Sequence, residues 1–262
     1  AGTTPAAAAA AVPRWDAVTI FDLLGILHAE SLISVAAEAQ DELSEWSFHD
    51  ALFHSRSRTG RHSAPYGATY SRAIERPPLP AVKPRPDGPV TELATVDVDI
   101  AAHTDPPFGR VLEDRQSWRM PGPRALDAAQ LGEFLFRSAR VRGRIATEHE
   151  EVSNRPYPGG GADYELEIYV LVNRVTGLDR GLYWYDPLMH VLVRLSQWSP
   201  TVGRLAADVA NKTGVNLIPD AALLITARML RLTYKYESIP YAIALKDVGS
   251  LYGTWYLTAT AM

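Results

Sequence analysis

The sequence predicts an α+β fold with a mostly antiparallel central sheet flanked by helices, and three observations carry that reading. Stretches with helical spacing are interleaved with β-branched and aromatic runs. No internal repeat is present, and the mixed order favours layers of both kinds over an all-α or all-β chain. The 262 residues are 47% hydrophobic and 21% charged, an ordinary globular balance that supplies a sizeable core.

The elements follow in order. Trp15 to Phe53 has helical spacing, with Ile20, Leu23, Leu24 and Leu27 recurring three and four apart. From Arg56 to Gly88 the chain is basic and rich in proline, and Pro77, Pro78, Pro80, Pro84, Pro86 and Pro89 rule out regular helix. That stretch reads as an extended connector lying across a surface or a partner subunit, or as a plain linker. Leu93 to Ile100 reads as a short strand. Asp127 is placed to cap a helix, with Gln130 at the capping-box position and Leu131, Phe134 and Leu135 on one face. Leu166 to Val172 reads as a strand, and Gly181 to Asp186 with Leu192 to Leu195 as a hairpin around Pro187. Val202 to Asn211 follows as a helix. The apolar run Ala221 to Ala227 predicts a strand buried on both faces. Ile239 to Met262 is apolar but carries Lys246 and Asp247, which marks a buried helix rather than a membrane span. The expected organisation is an N-terminal helical extension and proline-rich connector over 1–95, then the main domain over 96–262.

Composition excludes several functions. A net charge of -4 gives no sign of nucleic-acid binding. The absence of cysteine excludes disulfides, thiolate metal sites and a cysteine nucleophile. Ala6 to Ala11 is apolar but short, with no basic region before it, so no signal peptide is expected and a cytoplasmic location is. His49 and His54 are five apart without an acidic companion in register, so no metal site is expected.

Three segments carry candidate chemistry. Arg115-Gln116-Ser117-Trp118-Arg119 offers two planar donor forks and a hydroxyl, a set suited to a phosphate or to the edge of a flavin ring; a solvated charged turn is the plainer reading. Pro158-Gly159-Gly160-Gly161-Ala162 lets backbone approach a flat ligand with no Cβ in the way, or is simply a flexible turn. Tyr234-Lys235-Tyr236-Glu237 puts a phenol beside an ammonium, which can lower the phenol's pKa and make it a proton carrier. A strand end with a snorkelling lysine is the alternative.

Taken in order, the Arg-x-Ser-x-Arg segment, the glycine-rich turn before Glu165-Leu166-Glu167-Ile168-Tyr169, the run Gly181-Leu182-Tyr183-Trp184-Tyr185-Asp186-Pro187 and Lys235-Tyr236 form a pattern. It resembles the azoline dehydrogenases of the nitroreductase superfamily, found with streptolysin-like toxins, microcins, cyanobactins and thiopeptides. The resemblance covers roughly Leu112 to Met262, and Phe48-His49-Asp50 is similar to a histidine-bearing helix before the family's core. It implies a nitroreductase-like fold and an FMN-dependent dehydrogenase that oxidises peptide thiazolines or oxazolines to thiazoles or oxazoles. Arg115, Ser117 and Arg119 would bind FMN, and Pro158, Gly159, Gly160 and Gly161 would lie against it. Lys235 and Tyr236 would be the catalytic pair: one hydrogen leaves as hydride to the flavin, the other as a proton to Tyr236, with Lys235 keeping that phenol reactive, or with the two roles exchanged. A homodimer, a ribosomally made precursor peptide and a cyclodehydratase partner are also implied. Gly249 and Gly253, four apart, would permit close helix contact. After Lys235-Tyr236, Ile239, Ala242, Ser250 and Gly253 stand where the family has arginines, a histidine and a glutamine, while Asp247 and Gly249 match; family members also continue past the position of Met262. Two other functions fit the same residues: an NAD(P)H-dependent flavoenzyme acting on a small acceptor, and a non-catalytic subunit that binds the peptide or a partner.

Overall fold

The computed structural model describes residues 3–12, 14–30, 32–33, 45–58, 64–120, 122–214 and 216–262. The chain divides into two compact units, Ala1–Thr69 with Tyr236–Ile239, and Tyr70–Lys235 with Pro240–Met262.

The first unit contains α1 (Pro5–Ala11), α2 (Ala17–Ala29) and α3 (Phe48–Arg56). Each has a side-chain cap at its start: Thr4, Asp16 and Ser47 accept the N–H groups of Ala7, Thr19 and Asp50. On α2, Ile20 is buried and Leu24 and Leu27 are half-buried, whereas Leu23 is exposed. Residues 34–44 of the expected helical stretch lie outside the described residues.

The second unit opens with the proline-rich segment. It lies on its own chain. The carbonyls of Leu79 and Pro80 accept from Arg231 and Arg228, and Lys83 donates to the Tyr169 hydroxyl at 3.0 Å. Arg85 pairs with Asp186 at 3.0 Å. The segment leads into β1 (Val90–Glu92). The strand expected over Leu93 to Ile100 is absent. Asp97 instead accepts the N–H groups of Asp99 and Ile100 and so starts α4 (Val98–Thr104), followed by α5 (Phe108–Asp114).

Leu126–Asp127 (β2) then leads into α6 (Ala128–Ala139), whose capping box joins Asp127 and Gln130 reciprocally. A hairpin of β3 (Gly143–Ala146) and β4 (Glu151–Asn154) precedes the glycine-rich turn. Next come β5 (Leu166–Val172), β6 (Val175–Thr176), β7 (Gly181–Asp186) and β8 (Val191–Gln197), then α7 (Pro200–Thr213), β9 (Ala221–Ala227), α8 (Met229–Lys235) and α9 (Pro240–Ala261).

The main sheet is antiparallel throughout, in the order β1-β8-β7-β5-β9. One face packs Leu166, Ile168, Val170 and Val172 of β5 against Leu131 and Leu135 of α6 and Leu251 and Trp255 of α9. The opposite face sets Leu171 against Val202 and Ala206 of α7. This alternation is the period of two that a strand with helices on both sides requires. β9 corrects an expectation: it is an edge strand, half-buried along most of its length rather than covered on both faces. Its apolar run pairs with β5 from Leu166↔Ala227 to Val172↔Ala221.

Candidate functional site

α9 organises the predicted segments of the second unit. Asp247, buried on this helix, accepts the Gly160 N–H with both carboxylate oxygens at 3.0 Å. Ser250 donates to the Pro158 carbonyl at 2.7 Å. The glycine-rich turn is thus pinned to α9 at two points. A Cβ on Gly160 would come within 2.6 Å of Ile243, and one on Gly159 within 3.1 Å of the Tyr164 ring. A side chain at Gly160 would therefore force its surroundings to move, whereas at Gly159 the Tyr164 ring would have to give by a few tenths of an ångström.

Lys235, the last residue of α8, reaches the same turn. Its ammonium donates to the Gly161 carbonyl at 2.7 Å and pairs with Glu150 at 3.0 Å and Asp163 at 3.3 Å. Arg231, one helical turn earlier, lies within 3.5 Å of Glu150 and 3.8 Å of Asp163. It also donates to the backbone carbonyls of Asp163, Leu79 and Glu151. Two cations thus balance two carboxylates in the interior, and the mutual pairing offsets the cost of taking each charge out of water. Burial lowers the affinity of Lys235 for its proton, but Asp163 and Glu150 outweigh it, and the lysine pKa is raised. It stays an ammonium at neutral pH, which disfavours lysine as the base. Burial pushes Asp163 up to about 7, against the pull of Lys235.

The backbone around this lysine is strained. Gly161, Ala162 and Tyr164 in the turn have φ of 62°, 58° and 45°, and Tyr70 has φ of 51°. Non-glycine residues at such angles are uncommon and cluster where function holds them. The Tyr70 N–H donates to the Lys235 carbonyl at 3.2 Å. The Tyr70 ring stacks on His149 with centroids 4.1 Å apart and meets Tyr234 edge-on at 5.9 Å. Tyr236 follows Lys235 in the chain but groups with the first unit, and is half-buried.

Arg115, Ser117 and Arg119 lie along the C-terminal part of the same α9. The Arg115 guanidinium sits 5.8 Å over the Tyr256 ring. Ser117 and Arg119 line a cleft of about 450 Å³ with Trp118, Leu126 and Tyr256. All three are exposed, and none forms an ion pair with the described residues. Nine residues separate Asp247 from Tyr256, so α9 spaces the two groups by about 13 Å along its axis.

Pro158, Gly160, Gly161 and Lys235 are therefore brought into one cluster, and the arginine segment is set further along the same helix. Sequence reasoning missed Tyr70, Glu150 and Asp163. Only Asp163, two residues beyond Gly161, had a local signal, an acid closing a glycine turn. Among the described residues no group of His, Asp and Glu could hold a metal ion, and no helix is long and apolar enough to cross a membrane.

Comparison with known proteins agrees with this architecture. A protein of Methanocaldococcus jannaschii described as a nitroreductase is 32% identical over 152 residues, covering 58% of this chain and 72% of that protein. The chain belongs to the nitroreductase family. The family model described as "Cyanobactin oxidase ThcOx" matches residues 3–63. Indigoidine synthase of Dickeya dadantii is 33% identical over 91 residues, 34% of this chain and 6% of the synthase. A crystal structure of a protein from Anabaena variabilis described as a nitroreductase shares the fold, with a TM-score of 0.51 and 22% identity over 79% of this chain and 37% of that one. The chain thus spans well under half the length of the latter two.

Proposed function

We propose that the protein is an FMN-dependent oxidase of azoline rings in a ribosomally made peptide, acting as a homodimer beside a cyclodehydratase. The observation that carries this reading is the meeting of Lys235 with the glycine-rich turn, the Nζ to Gly161 carbonyl bond of 2.7 Å. The cyanobactin oxidase match over residues 3–63 supports a peptide-modifying oxidase in particular.

The donor set fits a flavin mononucleotide. Arg115 and Arg119, which pair with no carboxylate among the described residues, and the Ser117 hydroxyl suit a phosphate. The turn Pro158 to Gly161, free of side chains beyond the proline, suits the edge of a flat ring, and α9 separates the two groups along an elongated ligand. A bound flavin would supply the two-electron acceptor for the hydride lost from the azoline. This chain's residues do the rest. Asp247 and Ser250 hold the turn in place. Glu150 and Asp163 fix Lys235 as an ammonium at the turn's edge. A phenol beside Lys235 takes the proton, and the sequence offers Tyr236, the next residue, as a candidate for that place.

The test is a visible spectrum of the purified full chain, then incubation with a peptide bearing thiazoline or oxazoline. Flavin bands and the loss of two hydrogens per ring are expected. A colourless protein that takes up no FMN, or one that oxidises NAD(P)H with a nitroaromatic and leaves the azoline intact, overturns the proposal.

A further inference from the structure

Lys235 faces a phenol, and that phenol belongs to Tyr70. The two residues are 165 positions apart in the chain and joined by backbone, since the Tyr70 N–H donates to the Lys235 carbonyl. Tyr70 holds a left-handed φ of 51°, a conformation an aromatic residue reaches only when its surroundings impose it. The Lys235 ammonium lies 5.9 Å from the ring centroid. Its charge favours the ionised phenol, against the effect of burial. Beyond Lys235 stands Asp163, at 3.3 Å.

We propose that Tyr70, Lys235 and Asp163 form a proton relay, with Tyr70 at the substrate end and Asp163 as the buried store; the proposal rests on the oxidase reading above. Exposure runs down the series: Tyr70 is half-buried, and the side chains of Lys235 and Asp163 are 9% and 0% exposed. Only the outer member is placed to meet a ligand. As a proton leaves the substrate carbon for the Tyr70 oxygen, the phenolic proton passes to Lys235 Nζ and an ammonium proton passes to Asp163. Tyr70 and Lys235 end as they began, and Asp163 ends as a neutral acid. The relay moves only the proton; the electron pair goes to the flavin.

The surroundings suit these roles. Burial raises the Tyr70 pKa against the pull of Lys235, so the phenol begins protonated and must pass its proton on. Burial likewise pushes Asp163 up to about 7, where an acid can both take and release a proton under neutral conditions. His149 and Tyr234 face the Tyr70 ring, Glu150 shares Lys235, and Arg231 lies against both carboxylates. None of these takes the place of Asp163 as the inner acceptor: Glu150 is paired with the same two cations, but Asp163 Oδ1 is the carboxylate oxygen that accepts a hydrogen bond from Lys235.

The experiment compares the wild-type full chain with Tyr70→Phe, Asp163→Asn and Tyr236→Phe. Tyr70→Phe keeps the ring on His149 and removes only the hydroxyl. In protein labelled at the tyrosine ring carbon bearing oxygen, the NMR signal missing from Tyr70→Phe reports Tyr70, with no substrate or cofactor present. It is expected to shift as the pH passes through about 7, and that shift is expected to vanish in Asp163→Asn. His149 is also titratable, so the Asp163→Asn comparison makes the assignment. A Tyr70 signal that stays flat, or a shift that persists in Asp163→Asn, overturns the relay. In single-turnover azole formation by FMN-loaded protein, Tyr70→Phe is expected to be slower by about a hundredfold with FMN affinity unchanged. Wild-type turnover by Tyr70→Phe, with the loss confined to Tyr236→Phe, also overturns it. If the NMR coupling is present but wild type leaves azolines untouched, the relay stands and the oxidase reading falls.

Discussion

The Lys235 ammonium is held by the Gly161 carbonyl on one side and by Glu150 and Asp163 on the others, all within 3.3 Å. One side chain thus ties the end of α8 to a loop more than 70 residues earlier. Removing it leaves two buried carboxylates with Arg231 as their one cation among the described residues. Lys235→Met is expected to lower unfolding free energy by about 3 to 5 kcal/mol, because an uncompensated buried charge costs more than the pair contributed. Urea unfolding at neutral pH checks this, and a loss below about 1 kcal/mol would contradict the buried network.

Glu165 gives a pH signature. It is fully buried, neither of its oxygens has a donor among the described residues, and burial with the neighbouring Asp247 pushes it up to about 7 from 4.5. Burial raises the Asp247 pKa too. Between 4.5 and about 7 only the folded chain holds the Glu165 proton. The folded state binds more protons across that window, so stability falls as pH rises through it. Glu165→Gln is expected to flatten part of this slope and to stabilise the protein above pH 7 by about 3 kcal/mol at most. Asp163, raised in the same sense, leaves a residual slope. An unchanged profile in Glu165→Gln would show that the carboxyl ionises as freely when folded as when unfolded.

Two glycines should respond oppositely to alanine. In Gly160→Ala the new methyl would meet Ile243 at 2.6 Å and press the turn away from Asp247. A loss of about 1 to 3 kcal/mol is expected, together with weaker FMN uptake. Gly249, in the middle of α9, has open space around the same position. Gly249→Ala is expected to stabilise the folded chain by about 0.5 to 1 kcal/mol through helix propensity. Thermal melts of both variants decide the matter, and a destabilised Gly249→Ala would point to a neighbour that this chain does not itself supply.

Arg115 and Arg119 are exposed, so their loss should be felt in binding rather than folding. Either change to alanine is expected to weaken FMN binding by about tenfold or more, the worth of a charge-assisted hydrogen bond. Riboflavin, lacking the phosphate, should bind both variants as it binds wild type. Flavin fluorescence titrations separate the two ligands. Equal losses for both would move the arginines from the phosphate to the ring.

Much of the fold is legible because its signals are local. The Asp127–Gln130 capping box, the β5 run and the hairpin around Pro187 each declare themselves within a few residues. Asp97 shows where local reading fails: a capping acid set among valines looks like part of a strand until its oxygen is seen taking the Asp99 and Ile100 N–H groups. β9 fails differently, since an apolar run does not say whether it lies in the middle of a sheet or at its edge. At the candidate site, the glycines and Lys235 stand in recognisable motifs. Tyr70 sits before a proline-rich stretch with no motif, and Glu150 and Asp163 reach Lys235 only through the path of the folded chain. The sequence sets Lys235 beside Tyr236; only the folded chain brings the Tyr70 ring to 5.9 Å from the ammonium.

The outer edge of β9 has a practical side. Its seven residues carry neither charge nor proline, and among the described residues no strand lies beyond it. Such a rim offers a row of free amide hydrogens and oxygens to any extended chain that drifts past. Concentrated stocks of the isolated protein should therefore grow turbid sooner than its net charge suggests. A lysine placed on that rim would be the first remedy for anyone preparing samples.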